Sequence, residues 1–399
     1  MTTGYKINGT DTDDLFVRKD LFSEGGLWLW GVNDTGILGD NTAVNRSSPV
    51  QTVSGGTNWK QVDNNGQRHT AAIKTDGTLW LWGGNNFFGQ LGTNDTVSRS
   101  SPVQTVSGGT NWKQVSIGGN TTAAIKTDGT LWVWGSSGSG ELGTNDLVHR
   151  SSPVQTVSGG TNWKQVSIGG NNTAAIKTDG TLWVWGLNTD GRLGTNDTVS
   201  RSSPVQTIAG GTNWKQVSAG GFHTAAIKTD GTLWVWGTNT PAFGGYGQLG
   251  TNEGILDKSS PVQTIAGGTN WKQVSAGNTL TAAIKTDGTL WTWGSNEIGQ
   301  LGTNDLVHRS SPVQTIAGGT NWKQVDIAKT NTAAIKTDGT LWVWGQNSYG
   351  QLGTNDLVHR SSPVQTIAGG TNWKQVSAGH YTGTTTTGGT AAVREDYWA

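Results

Sequence analysis

The sequence predicts an all-β fold, a seven-bladed β-propeller closed by pairing of its N- and C-terminal strands in one shared blade. Two observations lead to this fold class. The first is a sevenfold repeat: the phrases SSPVQT, NWKQV and LWxWG each occur seven times, and the SSPVQT copies lie 51 to 57 residues apart. The second is that each repeat contains four short strand patterns. Seven units of four strands are the composition of a propeller, which normally has four to eight blades.

The four strands of a repeat follow one another as NWKQV, TAAIKT, TLWVWG and PVQTV or PVQTI. We expect the Trp and Gln of NWKQV on one face and its Lys and Val on the other, because side chains alternate along a strand. An Asp-Gly dipeptide joins the second strand to the third and predicts a type I′ hairpin turn. The two tryptophans of LWxWG share a face. Most of the 21 tryptophans of the repeats are therefore predicted to be core residues.

The two ends of the chain complement each other. The first LWLWG, at 27–31, has no NWKQV or TAAIKT strand before it, whereas the chain ends with a seventh NWKQV and a degenerate second strand. Pairing of these ends in one blade would leave no open sheet edge. Residues 23–399 are predicted to form the propeller, and residues 1–22 an N-terminal arm. A parallel β-helix is the alternative fold, but its rungs are usually much shorter than 50 residues.

The composition restricts the function. The chain of 399 residues has 27 basic and 27 acidic residues, so no basic excess points to a nucleic-acid partner. It has no cysteine, which excludes disulfides and thiolate metal sites. No apolar run reaches the roughly 20 residues that span a bilayer. We expect no membrane insertion, no metal and no cofactor.

The phrases KTDGTLWVWG and GQLGTND resemble the RCC1 repeat family over roughly residues 24–393. The resemblance implies the same propeller, and for function it implies binding, since the family includes GTPase exchange factors, chromatin binders and β-lactamase inhibitors. The exchange factors carry an inserted wedge. This chain has only a six-residue enlargement around Pro241–Tyr246, so an exchange role is not expected.

The copies differ from one another in two places: the bend after the first strand and the loop after LWxWG. In an antiparallel blade both connections emerge on the same side, so one face of the propeller is variable and the other is nearly uniform. Rigid scaffolds commonly display functional loops in this way. The residues that we predict to bind a partner on the variable face are Phe87, Phe88, Asp190, Arg192, Phe222, His223, Phe243, Tyr246 and Tyr349.

No motif of an enzyme is present: the sequence has no P-loop, HExxH, GxSxG or CxxC. Three histidines, His149, His308 and His359, belong to a repeated DLVHR phrase on separate blades and cannot converge on a metal. His69 and His223 occupy equivalent bends, with which His380 aligns, and are interpreted as satisfied loop residues. We expect no catalytic residue.

The N-terminal arm matches no repeat. Its phrase GYKINGTDTDDLF resembles the start of structural and tail proteins of tailed bacteriophages, which implies attachment to other virion proteins through Tyr5, Ile7, Leu15 and Phe16. The first hypothesis is therefore a non-enzymatic virion component, such as an appendage or tail-fibre protein, whose propeller recognises a host surface protein or glycan. The alternative is a soluble, cytoplasmic protein-binding module, such as an inhibitor or a GTPase regulator. Either is compatible with a homo-oligomer.

Overall fold

Seven four-stranded antiparallel sheets make up the described part of the protein, and each sheet is one blade of a propeller. The computed structural model describes residues 26–64, 69–84, 86–240, 246–254, 256–379 and 389–395. Phe243, His380 and the four arm residues Tyr5, Ile7, Leu15 and Phe16 lie outside the described residues. The predicted division into an arm and a propeller therefore stays a prediction for residues 1–22.

Blade 1 is the shared blade, and blades 2 to 7 follow in chain order. The first, innermost strands of the blades are β3 (Trp59–Asp63), β7 (Trp112–Gly118), β11 (Trp163–Ile168), β15 (Trp214–Ala219), β19 (Trp271–Ala276), β23 (Trp322–Ile327) and β27 (Trp373–Ala378). The second strands are β4 (His69–Lys74), β8 (Thr121–Lys126), β12 (Asn172–Lys177), β16 (His223–Lys228), β20 (Leu280–Lys285), β24 (Asn331–Lys336) and β28 (Thr390–Arg394).

The outer half of each blade repeats in the same way. The third strands are β1 (Gly26–Gly31), β5 (Leu79–Gly83), β9 (Leu131–Gly135), β13 (Leu182–Gly186), β17 (Leu233–Gly237), β21 (Leu290–Gly294) and β25 (Leu341–Gly345). The fourth strands are β2 (Arg46–Gln51), β6 (Arg99–Gln104), β10 (Arg150–Gln155), β14 (Arg201–Gln206), β18 (Lys258–Gln263), β22 (Arg309–Gln314) and β26 (Arg360–Gln365). One 3-10 turn, Asn86–Phe88, lies in the loop after β5.

The ring closes through blade 1, as the sequence predicts. Its strand order is β2-β1-β28-β27, so the first two strands of the chain complete a sheet with the last two. Trp28 of β1 lies opposite Ala392 of β28, and Ala392 lies opposite Val376 of β27. The C-terminal strand thus joins the two ends of the chain by backbone hydrogen bonds on both of its sides.

The first strand of each blade differs from the simple alternation predicted for it. In blade 2, Trp59 lies opposite Lys74 but Gln61 lies opposite Ile73, so Lys60 is an extra residue in a β-bulge. Trp59 and Val62 consequently face the same side and share a hydrophobic cluster, whereas Lys60 is exposed. The predicted grouping of Trp with Gln and of Lys with Val is therefore wrong, because the bulge shifts the alternation by one residue.

The Asp-Gly turn is also of a different type from the predicted one. Gly77 has a φ of +81°, but Asp76 is not among the residues with positive φ, which a type I′ turn requires at both positions. The Gly77 amide donates to the Lys74 carbonyl, and the Lys74 amide donates to the Thr78 carbonyl. This is a three-residue hairpin loop with a type I turn and a left-handed glycine. A Cβ at Gly77 would lie 2.1 Å from the Thr110 carbonyl oxygen, so only glycine fits.

The fourth strand begins three residues before its proline rather than at it. In blade 4 the strand starts at Arg201, and the register shifts between Gly186↔Arg201 and Val184↔Val205. Pro204 lies inside this irregular stretch on the outermost strand of the sheet. Proline has no amide hydrogen, and it is tolerated there because an edge strand at a bulge needs no ladder bond from that residue.

The hydrophobic core consists of seven clusters, one between each pair of neighbouring blades. The tryptophan of NWKQV and the second tryptophan of LWxWG are buried in every blade, with exposures of 0 to 2%. The first tryptophan of LWxWG is buried only in blade 1 and is partly exposed elsewhere, at Trp80, Trp132, Trp183, Trp234, Trp291 and Trp342. The prediction that most of the 21 are core residues is confirmed, since fifteen of them are buried.

Candidate functional site

Both variable connections of a blade lie on one face of the propeller, which we call the variable-loop face. In five of the blades that the structure describes, the first residue of the long loop donates its amide to a carbonyl of the bend, each at 2.9 Å: Ser136 to Asn120, Leu187 to Asn171, Thr238 to Phe222, Ser295 to Thr279 and Gln346 to Thr330. The loops and bends therefore support each other. This is the arrangement that strand direction predicts.

In six of the seven described blades, one asparagine holds the long loop in the same path although the loop sequences differ. The Asn296 Oδ1 accepts the amide of Leu301 at 2.9 Å, and its Nδ2 donates to the carbonyl and the carboxylate of Asp305, both at 3.0 Å. Equivalent asparagines are Asn33, Asn86, Asn188, Asn239 and Asn347, and blade 3 has Ser137 instead. Sequence variation thus changes the side chains on display more than the backbone that carries them.

The DLVHR histidines have a structural role that the sequence does not reveal. The Nδ1 atoms of His149, His308 and His359 accept the amides of Ser137, Asn296 and Asn347, each at 2.9 Å. These histidines therefore brace the loop of their own blade. Among the described residues, no group of three or more His, Cys, Asp or Glu side chains is placed to hold a metal ion.

Among the predicted binding residues that the structure describes, Phe87 is the most exposed. Its side chain is 74% exposed, whereas Asn86, which begins the same 3-10 turn, and Gln90, two residues after the turn, are fully buried. Phe88 is partly buried and packs edge-on against His149 of the next blade, with ring centroids 4.7 Å apart. Phe87 is therefore a large apolar group held out into solvent on a rigid support.

Tyr246, Phe222 and Tyr349 are partly buried. The Tyr246 ring stacks on His308 of blade 6 at 3.8 Å, and a hydrogen bond with Glu297 raises the pKa of its hydroxyl above the usual value. Tyr349 packs against the core cluster between blades 1 and 2. These two rings therefore fill spaces between blades as well as facing the loops.

Asp190, Arg192 and His223 are not displayed, so the prediction that they are surface binding residues is wrong. Arg192 makes a two-pronged ion pair with Asp190, at 2.6 Å for each bond, and the two side chains are 4% and 6% exposed. Arg192 also donates to the Gly221 carbonyl and lies over the Phe222 ring. The His223 Nε2 contacts the Thr281 Oγ1 at 2.8 Å, with the ring fully buried. These groups fix loop geometry.

A pocket of about 270 Å³ opens on the variable-loop face between blades 5, 6 and 7. Phe222 and Tyr246 form its apolar wall. Glu297 and Lys329 bring opposite charges to it, and neither was singled out from the sequence. The signal was available, since Glu297 and Lys329 stand at positions where the copies differ.

A second cavity, of about 250 Å³, lies in the central channel. Seven glutamines encircle it, and each bonds a valine of the next blade as a strand would. The Gln114 Nε2 donates to the Val166 carbonyl at 2.9 Å, and the Gln114 Oε1 accepts the Val166 amide at 3.1 Å. Gln375 makes the same two bonds to Val62 and closes the circle.

Asp63 and Asp326 occupy channel positions where the other five blades have serine. Asp326 accepts the Ala378 amide at 2.9 Å and the Ser275 hydroxyl at 2.8 Å. Burial nevertheless raises the pKa of Asp326 from 3.8 to about 6, because loss of water outweighs these hydrogen bonds. Burial likewise lowers the pKa of His69 to about 3, so His69 stays neutral in the folded protein.

The raised pKa of Asp326 makes stability depend on pH. Between about pH 4 and 6 the folded protein retains a proton that the unfolded chain has released, so this residue lowers the free energy of unfolding as the pH rises. Asp326→Ser introduces the serine that five other blades have at this position, and we expect it to remove this decrease in the free energy of unfolding. The gain over wild type above pH 6.5 is expected to be about 1–3 kcal/mol, since part of the side chain still faces the channel.

Denaturant unfolding of wild type and Asp326→Ser at matched pH values checks this expectation, because His69 contributes equally to both proteins. The difference in unfolding free energy is expected to be larger at pH 7 than at pH 4. Asp63→Ser serves as the matched control in the same ring. A difference that does not change between the two pH values would contradict the assignment to Asp326.

The fold and the face together define a class of protein: a closed seven-bladed propeller that displays varied loops on a repeated scaffold. A model of the regulator of chromosome condensation (RCC1) repeat matches residues 24–73, 76–125, 128–176, 179–227, 287–335 and 338–384. A second RCC1 repeat model also matches residues 214–248 and 271–300. The chain belongs to the RCC1 repeat family.

Two curated relatives come from Arabidopsis thaliana. The ultraviolet-B receptor UVR8 is 30% identical over 84% of this chain and 76% of its own length. The mitochondrial RCC1 domain-containing protein RUG3 is 31% identical over 74% of this chain and 67% of its own length. Both relatives extend the similarity across most of the repeats.

A solved structure has the same fold. Prp20p from Saccharomyces cerevisiae, studied for its binding to Gsp1p and histones, superposes with a TM-score of 0.78 at 16% identity over 95% of this chain and 94% of that one. At this identity the likeness concerns the fold alone. Within the described residues, no helix has the length and the apolar character needed to span a membrane.

Proposed function

We propose that the protein is a non-catalytic protein-binding module that holds its partner on the variable-loop face. The observation that carries the proposal is Phe87, an aromatic side chain that is 74% exposed although Asn86 and Gln90 close to it in the same loop are fully buried. Exposed aromatic groups on rigid supports are typical anchors of protein interfaces, because they bury a large apolar area at little cost in conformational entropy.

The pocket between blades 5, 6 and 7 supports the same proposal. It combines the apolar surfaces of Phe222 and Tyr246 with the charges of Glu297 and Lys329, and so offers an anchor site with polar groups at its margin. Phe243 is proposed as a further contact on the same face. Among the relatives, Prp20p is a propeller studied for binding a protein, Gsp1p, and histones, which favours a protein as the partner here.

The virion hypothesis is not the proposal that we favour. It rests on the resemblance of the N-terminal arm, which lies outside the described residues, and none of the three relatives reported above is described as a virion protein. The protein-binding alternative needs only the propeller. Incorporation of the chain into purified phage particles would be the finding that revives the virion hypothesis.

The test is affinity capture with the immobilised full chain from an extract of the organism that encodes it, followed by titration of the captured protein. We expect Phe87→Ala and Tyr246→Ala each to weaken binding by about tenfold or more, since anchor residues commonly contribute about 2 kcal/mol. The matched control is Val157→Ala, which shortens a side chain that is 55% exposed in the link after β10. Wild-type affinity in both aromatic variants would contradict the proposal.

A further inference from the structure

The face opposite the variable loops carries a concentration of positive charge. It consists of the Asp-Gly turns between second and third strands and the Gly-Gly links between blades, and we call it the basic face. Turn and link are joined: the amide of Trp112, at the end of one link, donates to the Gly77 carbonyl of the preceding blade's turn at 3.0 Å. The same bond recurs from Trp163 to Gly129 and from Trp214 to Gly180.

A ring of bulged lysines surrounds the channel at this face. Each is the extra residue of the bulge in a first strand, one position after the tryptophan that begins the strand. The seven are Lys60, Lys113, Lys164, Lys215, Lys272, Lys323 and Lys374, and all are exposed. Of these seven lysines, only Lys374 forms an ion pair with a described residue, Glu395, at 3.6 Å.

A second set of cations lies at the ends of the second strands, fixed between tryptophans. The Lys177 Nζ lies 4.8 Å from the Trp163 ring and 4.5 Å from the Trp183 ring. Equivalent clamps hold Lys74, Lys126, Lys228, Lys285 and Lys336, and Arg394 takes this place in blade 1. The aromatic rings hold these cations, and in the six blades with a lysine the aspartate of the Asp-Gly turn attracts it as well.

The carboxylates of the basic face neutralise only half of this charge. The turn aspartates, such as Asp179, are engaged by their own turn: the Asp179 Oδ1 accepts the amide and the hydroxyl of Thr181 at 2.9 and 2.7 Å. These hydrogen bonds are the main cause of the lowered pKa of Asp179. Over the described residues, the face has fourteen basic side chains and seven carboxylates, an excess of seven positive charges.

The remaining described residues have the opposite balance, with nine basic and fourteen acidic side chains. Around the outer edge the charges cancel locally, because arginines such as Arg201 pair with the aspartate four residues earlier, here Asp197 at 2.7 Å. The zero net charge of the whole chain therefore conceals a strongly basic face. Composition alone predicts no such surface.

We propose that the basic face binds an acidic segment of a polypeptide, independently of the partner held on the variable-loop face. The lysine ring is closed, sevenfold and exposed, and lysine is a point charge that attracts carboxylates without demanding one geometry. A flexible acidic segment follows such a ring and places several carboxylates against it at once. A nucleic-acid duplex is stiff and touches only an arc of the ring.

The half-exposed tryptophans also favour a peptide over single-stranded nucleic acid. Single strands bind by stacking bases on open aromatic faces. Here one face of the Trp183 ring carries the Lys177 ammonium, and the edge of the ring packs against Trp163. Its indole nitrogen donates to the Thr181 hydroxyl at 2.9 Å. The half-exposed tryptophan rings bind the neighbouring cations and are not free to stack with bases.

The experiment measures fluorescence anisotropy of a labelled peptide of about ten glutamates with the full chain, at about 50 and 150 mM salt. The ring variant replaces Lys113, Lys164, Lys215 and Lys272 by glutamine. The control replaces four edge arginines by glutamine and so removes the same charge: Arg99, Arg150, Arg201 and Arg309. The four lysines are exposed and the four arginines are partly exposed, so both variants should fold, which thermal unfolding checks.

We expect the ring variant to lose at least about tenfold in affinity and the edge variant to stay within about twofold. Equal losses in both would overturn the proposal, since attraction would then follow net charge alone. Tighter binding of a single-stranded or duplex DNA probe than of the peptide would also overturn it. The Phe87→Ala variant should bind the peptide like wild type, because Phe87 lies on the variable-loop face. A failure of the basic-face proposal can therefore be distinguished from a failure of the proposed function.

Discussion

Asp190→Ser is expected to lower the free energy of unfolding by about 3–5 kcal/mol, because it leaves the buried guanidinium of Arg192 without its counter-ion. The ion pair is 4% and 6% exposed, and Asp190 also accepts the Thr238 hydroxyl at 2.5 Å. Serine is the residue at the equivalent position of blade 3, Ser139, so backbone conformation is not the obstacle. Chemical denaturation of the purified variant measures the loss.

Addition of Arg192→Gln to the Asp190→Ser variant is expected to recover most of the lost free energy of unfolding. Glutamine occupies the equivalent position in four blades, at Gln90, Gln248, Gln300 and Gln351, and each is fully or almost fully buried there. Replacement of a whole buried pair is often neutral, whereas removal of one partner is not. A double variant as unstable as Asp190→Ser would show that the pair has no such coupling.

Ala392→Asp is expected to lower the free energy of unfolding by about 3–5 kcal/mol, as much as Asp190→Ser, and to open the ring of blades. Ala392 is fully buried at the centre of β28, in the cluster between blades 7 and 1 that includes Trp30 and Trp373. A carboxylate there has no partner, and β28 alone joins β27 to β1. We expect a lower unfolding midpoint and faster hydrogen exchange in β1 and β27, measured by mass spectrometry.

Glu395→Ala is the control for this closing strand. Glu395 directly follows β28 and is exposed, so its loss removes only the contact with Lys374 and is expected to change stability by less than about 1 kcal/mol. Ala392→Asp with wild-type stability would contradict the view that the shared blade holds the ring together.

The fold could be predicted because its determinants are local and repeated seven times. The Asp-Gly turn, the Trp-x-Trp strand and the unmatched strands at the two ends lead directly to seven blades with one shared. The bulge at Lys60 could not be predicted. It inserts one residue in each first strand, and short strands of alternating type do not reveal such an insertion until a partner strand fixes the register.

The binding residues were harder to predict than the fold. Sequence comparison between the copies located the variable loops, but it could not distinguish a displayed aromatic such as Phe87 from a charged pair such as Asp190 and Arg192 that folds inward. Charge composition was misleading in a similar way. The numbers of basic and acidic residues in the sequence are equal. The exposed lysines of the ring, such as Lys164, and the ion-paired arginines of the outer edge, such as Arg150, can be told apart only when the strands and turns are assembled.

Hydrogen exchange of the full chain, alone and with its captured protein partner, tests most directly whether the variable-loop face is the binding surface. We expect slower exchange in the loops at 86–90, 246–248 and 295–300, and unchanged exchange in the Asp-Gly turns at 75–78 and 127–130. Protection confined to those turns and to the links between blades, with no change in the loops, would contradict the account.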